Sequence, residues 1–150
     1  MDVLRLYQGL SKFPLGKYVF SALFCWTAPY FGSIHPRFLE LRPGRCVVSI
    51  KNRRAVRNHI GTVHAIAMCN MAEAAAGTCV EASLSRQLRW IPSKMEVQYL
   101  KKANTNLKAV CEFDPASLEP GENHINVDVI NEAGERVFCA KITMFISSKK

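Results

Sequence analysis

One carboxylate stands in a run that is otherwise uncharged and largely apolar: Glu73, within Val63-His64-Ala65-Ile66-Ala67-Met68-Cys69-Asn70-Met71-Ala72-Glu73-Ala74-Ala75-Ala76-Gly77. Desolvating a carboxylate costs several kcal/mol, so Glu73 needs a buried partner, a raised pKa, or an opening to solvent or ligand. In an opening such a group serves as a general base or a nucleophile. Asn58, Gly61 and His64 lead into the run. At helical spacing Asn70 and Cys69 share the face of Glu73, which continues through Ile66 toward Thr62. His64 stands nine residues away and projects from the opposite side, so the two do not meet within one subunit. A site that uses both must lie between subunits.

The cations form the second feature. Twenty Lys+Arg against twelve Asp+Glu leave a net charge of +8 over 150 residues, which points to an anionic partner or substrate. Arg53, Arg54 and Arg57 run into the Asn58 loop, while Arg86, Arg89, Lys94, Lys101 and Lys102 flank the segment that follows the apolar run. Lys149 and Lys150 read as an exposed tail. No helix-turn-helix, zinc finger or basic-aromatic stripe accompanies the charge, so nucleic acid is not the expected partner. Six cysteines without a Cys-x-x-Cys pair read as buried thiols, and neither they nor the four histidines have metal-ligand spacing. Tyr18–Phe31, interrupted by Pro29, falls short of the ~20 apolar residues a bilayer span requires, and it lacks a secretory cleavage pattern. The expectation is one folded domain over residues 1–150, cytoplasmic, with no integral membrane association.

These residues must be held by a scaffold, and the periodicities supply one. Ser11 and Pro14 suggest a helix start and Pro29 an end, giving a helix at about Pro14–Ala28 within an N-terminal extension of about 1–30. Leu15, Tyr18, Val19, Ala22, Leu23 and Trp26 recur there as one apolar face. From Phe38 the period becomes two, and Pro43-Gly44 turns a hairpin into Cys46, Val48 and Ile50. The Ala-rich run predicts an enclosed helix over 63–76 with Gly77 as its stop. Alternating strands follow around 95–99, 107–113, 125–129 and 136–146. With no crossover helices, they predict an antiparallel meander.

A helix enclosed by an antiparallel sheet is the hotdog arrangement, an α+β fold, and the motif residues resemble one branch of it. Asn58-x-x-Gly61-x-x-His64, with Glu73 nine positions on, is similar to the loop-and-helix motif of phenylacetate-degradation-type acyl-CoA thioesterases. Glu96-Val97-Gln98-Tyr99-Leu100-Lys101-Lys102-Ala103 resembles the next strand of that superfamily. Pro29-Tyr30-Phe31-Gly32 and Leu41-Arg42-Pro43-Gly44 resemble an uncharacterised single-domain branch. Ala65 and Ile66 stand where the family has two glycines.

The resemblance implies hydrolysis of an acyl-CoA thioester in a homodimer or homotetramer. Asn58 would orient the water or the carbonyl, and Glu73 of the other subunit would act as base or nucleophile. Amides near Gly61 and His64 at the helix start would face the developing oxyanion. Arg53, Arg54, Arg57, Lys101 and Lys102 would meet the phosphates of coenzyme A, which enters only as part of the substrate. No metal and no redox cofactor is implied. Two rival functions remain on the same fold. One is a non-catalytic acyl-CoA or lipid binder. The other is a hydratase or dehydratase, for which His59 and Glu73 have the fourteen-residue spacing but the Phe-Pro-Gly sequence is missing.

Overall fold

The computed structural model describes residues 2–149, so Met1 and Lys150 lie outside the described residues while Lys149 is exposed. Two helices open the chain, α1 (Val3–Leu10) and α2 (Gly16–Thr27), followed by a 3-10 helix (Pro29–Ile34). The hairpin β1 (Arg37–Arg42) and β2 (Arg45–Ile50) precedes the long helix α3 (Ala65–Ser83). Four strands complete the domain: β3 (Leu88–Tyr99), β4 (Leu107–Glu112), β5 (Gly121–Ile130) and β6 (Arg136–Ser148). All pair antiparallel in one sheet ordered β1-β2-β4-β5-β6-β3, and α3 packs against every strand. This is the hotdog arrangement.

The order departs from a simple meander. β3 does not neighbour β4; it pairs with β6 at the far edge, from Leu88↔Ser148 to Tyr99↔Phe138. Strand length explains the choice. β3 has 12 residues and β4 only 6, whereas the 13-residue β6 can pair along the whole of β3. A bulge between Pro92 and Lys94 accommodates a proline that only an edge strand tolerates.

Alanine spacing lets the sheet approach α3 closely. Met71, Ala72, Ala75, Ala76, Cys79 and Val80 are sealed against Val48, Ala109, Val129, Phe138 and Ile142. The helix runs to Ser83, seven residues past the expected end, and so gains Glu81 as a second charge. Gly77 is therefore not a stop. A Cβ there would stand 2.6 Å from Cη2 of Trp90, whose indole N–H donates to Glu81 Oε2 at 2.8 Å. Glycine is kept because the indole lies on the helix backbone. Gly77→Ala should lower stability by about 1–3 kcal/mol through overpacking. At a helix position free of such contact the same change gains about 1 kcal/mol, so the sign of the shift in denaturation midpoint decides.

Cys46, Cys79 and Cys111 are buried free thiols, as expected, whereas Cys25, Cys69 and Cys139 are only half-buried. Hydrogen bonding to Cys79 and then burial push the Cys111 thiol far up, and burial does the same to Cys46, so these core thiols are unreactive.

The N-terminal helix is turned about from the expected orientation. Leu15, Tyr18, Val19, Leu23 and Trp26 are exposed, Trp26 by 80%. The buried side consists of Gly16, Phe20 and Ser21, with Phe24 half-buried beside them. Phe38 of β1 selects this face. Its ring meets Phe20 edge-on at 5.1 Å and Phe24 at 4.7 Å, and its N–H donates to Ser21 Oγ at 3.0 Å.

Candidate active site

Helix spacing places Glu73 along the open edge of the sheet. Cys69 lies one turn before it and touches Tyr99 of β3, Sγ to Oη at 3.7 Å; that thiol contact raises the Tyr99 pKa, with burial adding to it. Gly77, one turn after, lies beneath Trp90. The half-buried Glu73 falls between these contacts, in a mostly apolar cavity of about 280 Å³ lined with Phe24, Phe31, Ala74, Thr78, Trp90 and a second carboxylate, Glu81. Among the described residues no hydrogen bond or ion pair reaches its carboxylate, so the group is neither neutralised nor tethered.

Asn58, Gly61 and His64 form a second cluster at the start of α3. The Asn58 side chain is committed to its own loop. Its Oδ1 accepts from the N–H of Ile60 (3.2 Å) and Thr62 (3.1 Å), and its Nδ2 donates to Thr62 Oγ1 at 2.8 Å. Gly61 sits at φ 82° with open space where a Cβ would be, so it supplies a left-handed turn rather than a close approach. His64 caps the helix, its Nδ1 accepting the Ile66 N–H at 3.0 Å. Its backbone N–H donates to Val56 at 2.8 Å.

His64 also lines a cleft of about 200 Å³ with Ser33, Arg57, Ile66 and Asn70. Asn70 is only 6% exposed, donates to Ser33 Oγ at 3.3 Å, and leaves its buried Oδ1 without a partner. Sequence reasoning placed Asn70 on the Glu73 face without giving it a part in the site. Its signal was the same as that of Glu73, a polar side chain in an alanine-rich enclosed run. Ser33, inside the 3-10 helix, carried no signal. Glu73 and His64 remain apart, nine residues spanning about 13 Å of helix, and they line different cavities.

The five cations divide. Arg57 lines the His64 cleft, fixed by Asn52 through Nε at 2.8 Å and Nη2 at 3.1 Å. Arg54 is exposed at the start of the short turn before it. Arg53 donates to the Ser33 carbonyl at 2.8 Å but lines a separate cavity across the 3-10 helix. Lys101 is paired with Glu135 at 2.6 Å and holds that carboxyl below its usual range, while Lys102 is exposed. Among the described residues no group of three or more His, Cys, Asp or Glu is placed for a metal, and no helix is long and apolar enough to cross a membrane.

Comparison with known proteins adds relatives of the same shape. A structural-genomics crystal structure is 41% identical over 99% of this chain and 100% of its own, with a TM-score of 0.89. A Pseudomonas aeruginosa protein described as of unknown function and a probable thioesterase is 18% identical over 85% of this chain and 92% of its own, TM-score 0.78. A Haemophilus influenzae thioesterase is 9% identical over 79% of this chain and 82% of its own, TM-score 0.72. These last two establish the fold alone. No curated protein matches the chain. Residues 16–146 match the family described as Domain of unknown function (DUF4442), and with that match the chain belongs to this family, built on the hotdog fold.

Proposed function

We propose that the protein hydrolyses an acyl-CoA thioester at a site shared by two copies of the chain. The observation that carries this reading is Glu73: an unpaired carboxylate facing an apolar cavity on the side of α3 nearest the sheet's open edge. A carboxylate so placed takes a proton from water as the oxygen attacks the thioester carbonyl. Collapse of the tetrahedral adduct breaks the C–S bond, and the departing thiolate is protonated to the free thiol of coenzyme A. The start of α3 from the second copy supplies partial positive charge to the oxyanion. In this arrangement Asn58 and Gly61 shape the loop that presents the helix start, and Arg54 and Arg57 receive coenzyme phosphates.

The reading needs a partner because His64 and Glu73 sit about 13 Å apart along one helix. β3 supports it: 12 residues long, hydrogen-bonded to β6 on one side only, and bearing Ile91 and Tyr99 exposed by 63% and 53%. A long edge strand with exposed apolar side chains is a template for pairing with a second copy. Incubation with short, long and aromatic acyl-CoAs should release thiol from at least one member, by a protein that sediments as a dimer or a tetramer. A monomeric species with full turnover would overturn the shared site, and no release from any acyl-CoA would overturn the hydrolysis.

Non-catalytic acyl-CoA binding has one observation in its favour. Ile66 replaces a glycine of the resembling family, is exposed, and its N–H is already taken by the His64 ring. Tight acyl-CoA binding without thiol release selects this second reading.

A further inference from the structure

Charge on this protein is unevenly compensated. Arg42 and Arg45 are paired with Glu40 and Glu112, Lys94 with Glu96, and Arg136 with Asp128. At the opposite end of the hairpin, Arg37, Lys51 and Arg53 have no ion-pair partner among the described residues, and all three line one cavity of about 590 Å³. The cavity lies between α2 and the β1–β2 hairpin, separated by the 3-10 helix from the His64 cleft. None of its lining residues is acidic, and His35 lies among them.

Both guanidinium groups are in a costly state. The Nε atoms of Arg37 and Arg53 are buried and lack a hydrogen-bond partner. Arg37 is held by the Tyr18 ring, Cζ lying 3.6 Å from its centroid, which orients the group without neutralising it. Two half-buried cations that line one cavity with no carboxylate among its walls are stabilised when an anion accepts from the guanidinium N–H groups that remain within reach. The remaining wall is different in character. Ala22, Cys25, Gly32 and Pro36 make it predominantly apolar. Its volume falls in the range of pockets that enclose small organic ligands, about 300–1,000 Å³. An inorganic anion would satisfy the guanidiniums and leave that wall unused.

We propose that this cavity binds a single-chain anionic amphiphile, its head group on Arg37, Arg53 and Lys51 and its hydrocarbon chain along Ala22 and Cys25. The site is separate from Glu73 and does not depend on thioester hydrolysis. A carboxylate and a phosphate head share the required chemistry, and the test distinguishes them. Calorimetric titration of the whole chain with decanoate and decyl phosphate should show saturable binding of at least one, with the tighter identifying the head. Decanol should bind at least tenfold more weakly, and inorganic phosphate alone should not compete.

Cys25 gives an independent readout. Saturating ligand should slow its alkylation by N-ethylmaleimide at least tenfold, as read by peptide mass, with Cys69 and Cys139 unaffected. Arg37→Gln with Lys51→Gln should weaken binding tenfold or more. Ala22→Trp, which blocks the cavity and leaves every cation in place, should abolish binding and any ligand-dependent change in Cys25 alkylation, even if the charge variant fails to fold. Glu73→Gln should bind as the wild type does. No saturable binding of either amphiphile, equal affinity for decanol, displacement by phosphate alone, or a ligand-dependent slowing of Cys25 alkylation in Ala22→Trp as large as in the wild type would overturn the proposal.

Discussion

Glu73→Gln should lower the proposed acyl-CoA hydrolysis about 10²–10⁴-fold in kcat while leaving KM within a few-fold, the range expected when a positioned proton acceptor is removed. The substitution keeps size and shape and removes only the charge. Because no donor among the described residues is paired with the Glu73 carboxylate, the amide leaves no partner stranded there. The denaturation midpoint should therefore hold or rise, since a neutral amide is cheaper to desolvate than a carboxylate. Loss of rate with stability retained identifies a group kept for chemistry. Glu73→Ala should lose rate equally, because the missing function is the proton acceptor. Wild-type turnover in both variants would remove Glu73 from the reaction, and a fall in stability matching the fall in rate would make it a structural residue.

The sequence made Glu73 visible because its cost is local: a charge in an alanine-rich run must be explained whatever surrounds it. The hairpin and the later strands were legible for a similar reason, since period-two alternation fixes which face each residue takes. Neighbour relations were not. Alternation in Met95, Val97 and Tyr99 says nothing of whether β4 or β6 lies alongside, and strand length settled that. Gly77 misled because the local helix-stop signal was outweighed by a tertiary contact, the indole of Trp90 on the helix backbone. Asn58 carried two readings with one signature, since the same side chain can orient a ligand or build an Asx turn; the observed bonds run to Ile60 and Thr62.

α2 was harder still. Gly16-Lys17-Tyr18-Val19-Phe20-Ser21-Ala22-Leu23-Phe24-Cys25-Trp26-Thr27 contains apolar residues on every side, so helical spacing alone admits more than one buried face. The decision came from across the chain, in the aromatic ring of Phe38. The cations behaved in the same way. Sequence order grouped Arg53 with Arg54 and Arg57, whereas the fold brings Arg53 to the same cavity as Arg37, at the start of β1, and Lys51, just past the end of β2.

That dependence on one ring gives the second large effect. Phe38→Ala should cost about 3–5 kcal/mol, the range for deleting a buried aromatic side chain. Phe38 is fully buried, and its ring holds Phe20 and Phe24 edge-on at 5.1 and 4.7 Å while Phe20 in turn meets Tyr7 of α1 at 5.0 Å. The Ser21 hydroxyl would still accept the backbone N–H of residue 38, so one hydrogen bond survives while the packing is lost. Loosening should therefore be concentrated in α1 and α2, with the α3–sheet core retaining its protection. Hydrogen exchange followed by peptide mass should show residues 3–27 opening faster than α3 by a wide margin. A uniform increase over the whole domain would mean that the N-terminal helices and the sheet unfold as one cooperative unit, and a loss below about 1 kcal/mol would mean that the pocket collapses around the missing ring.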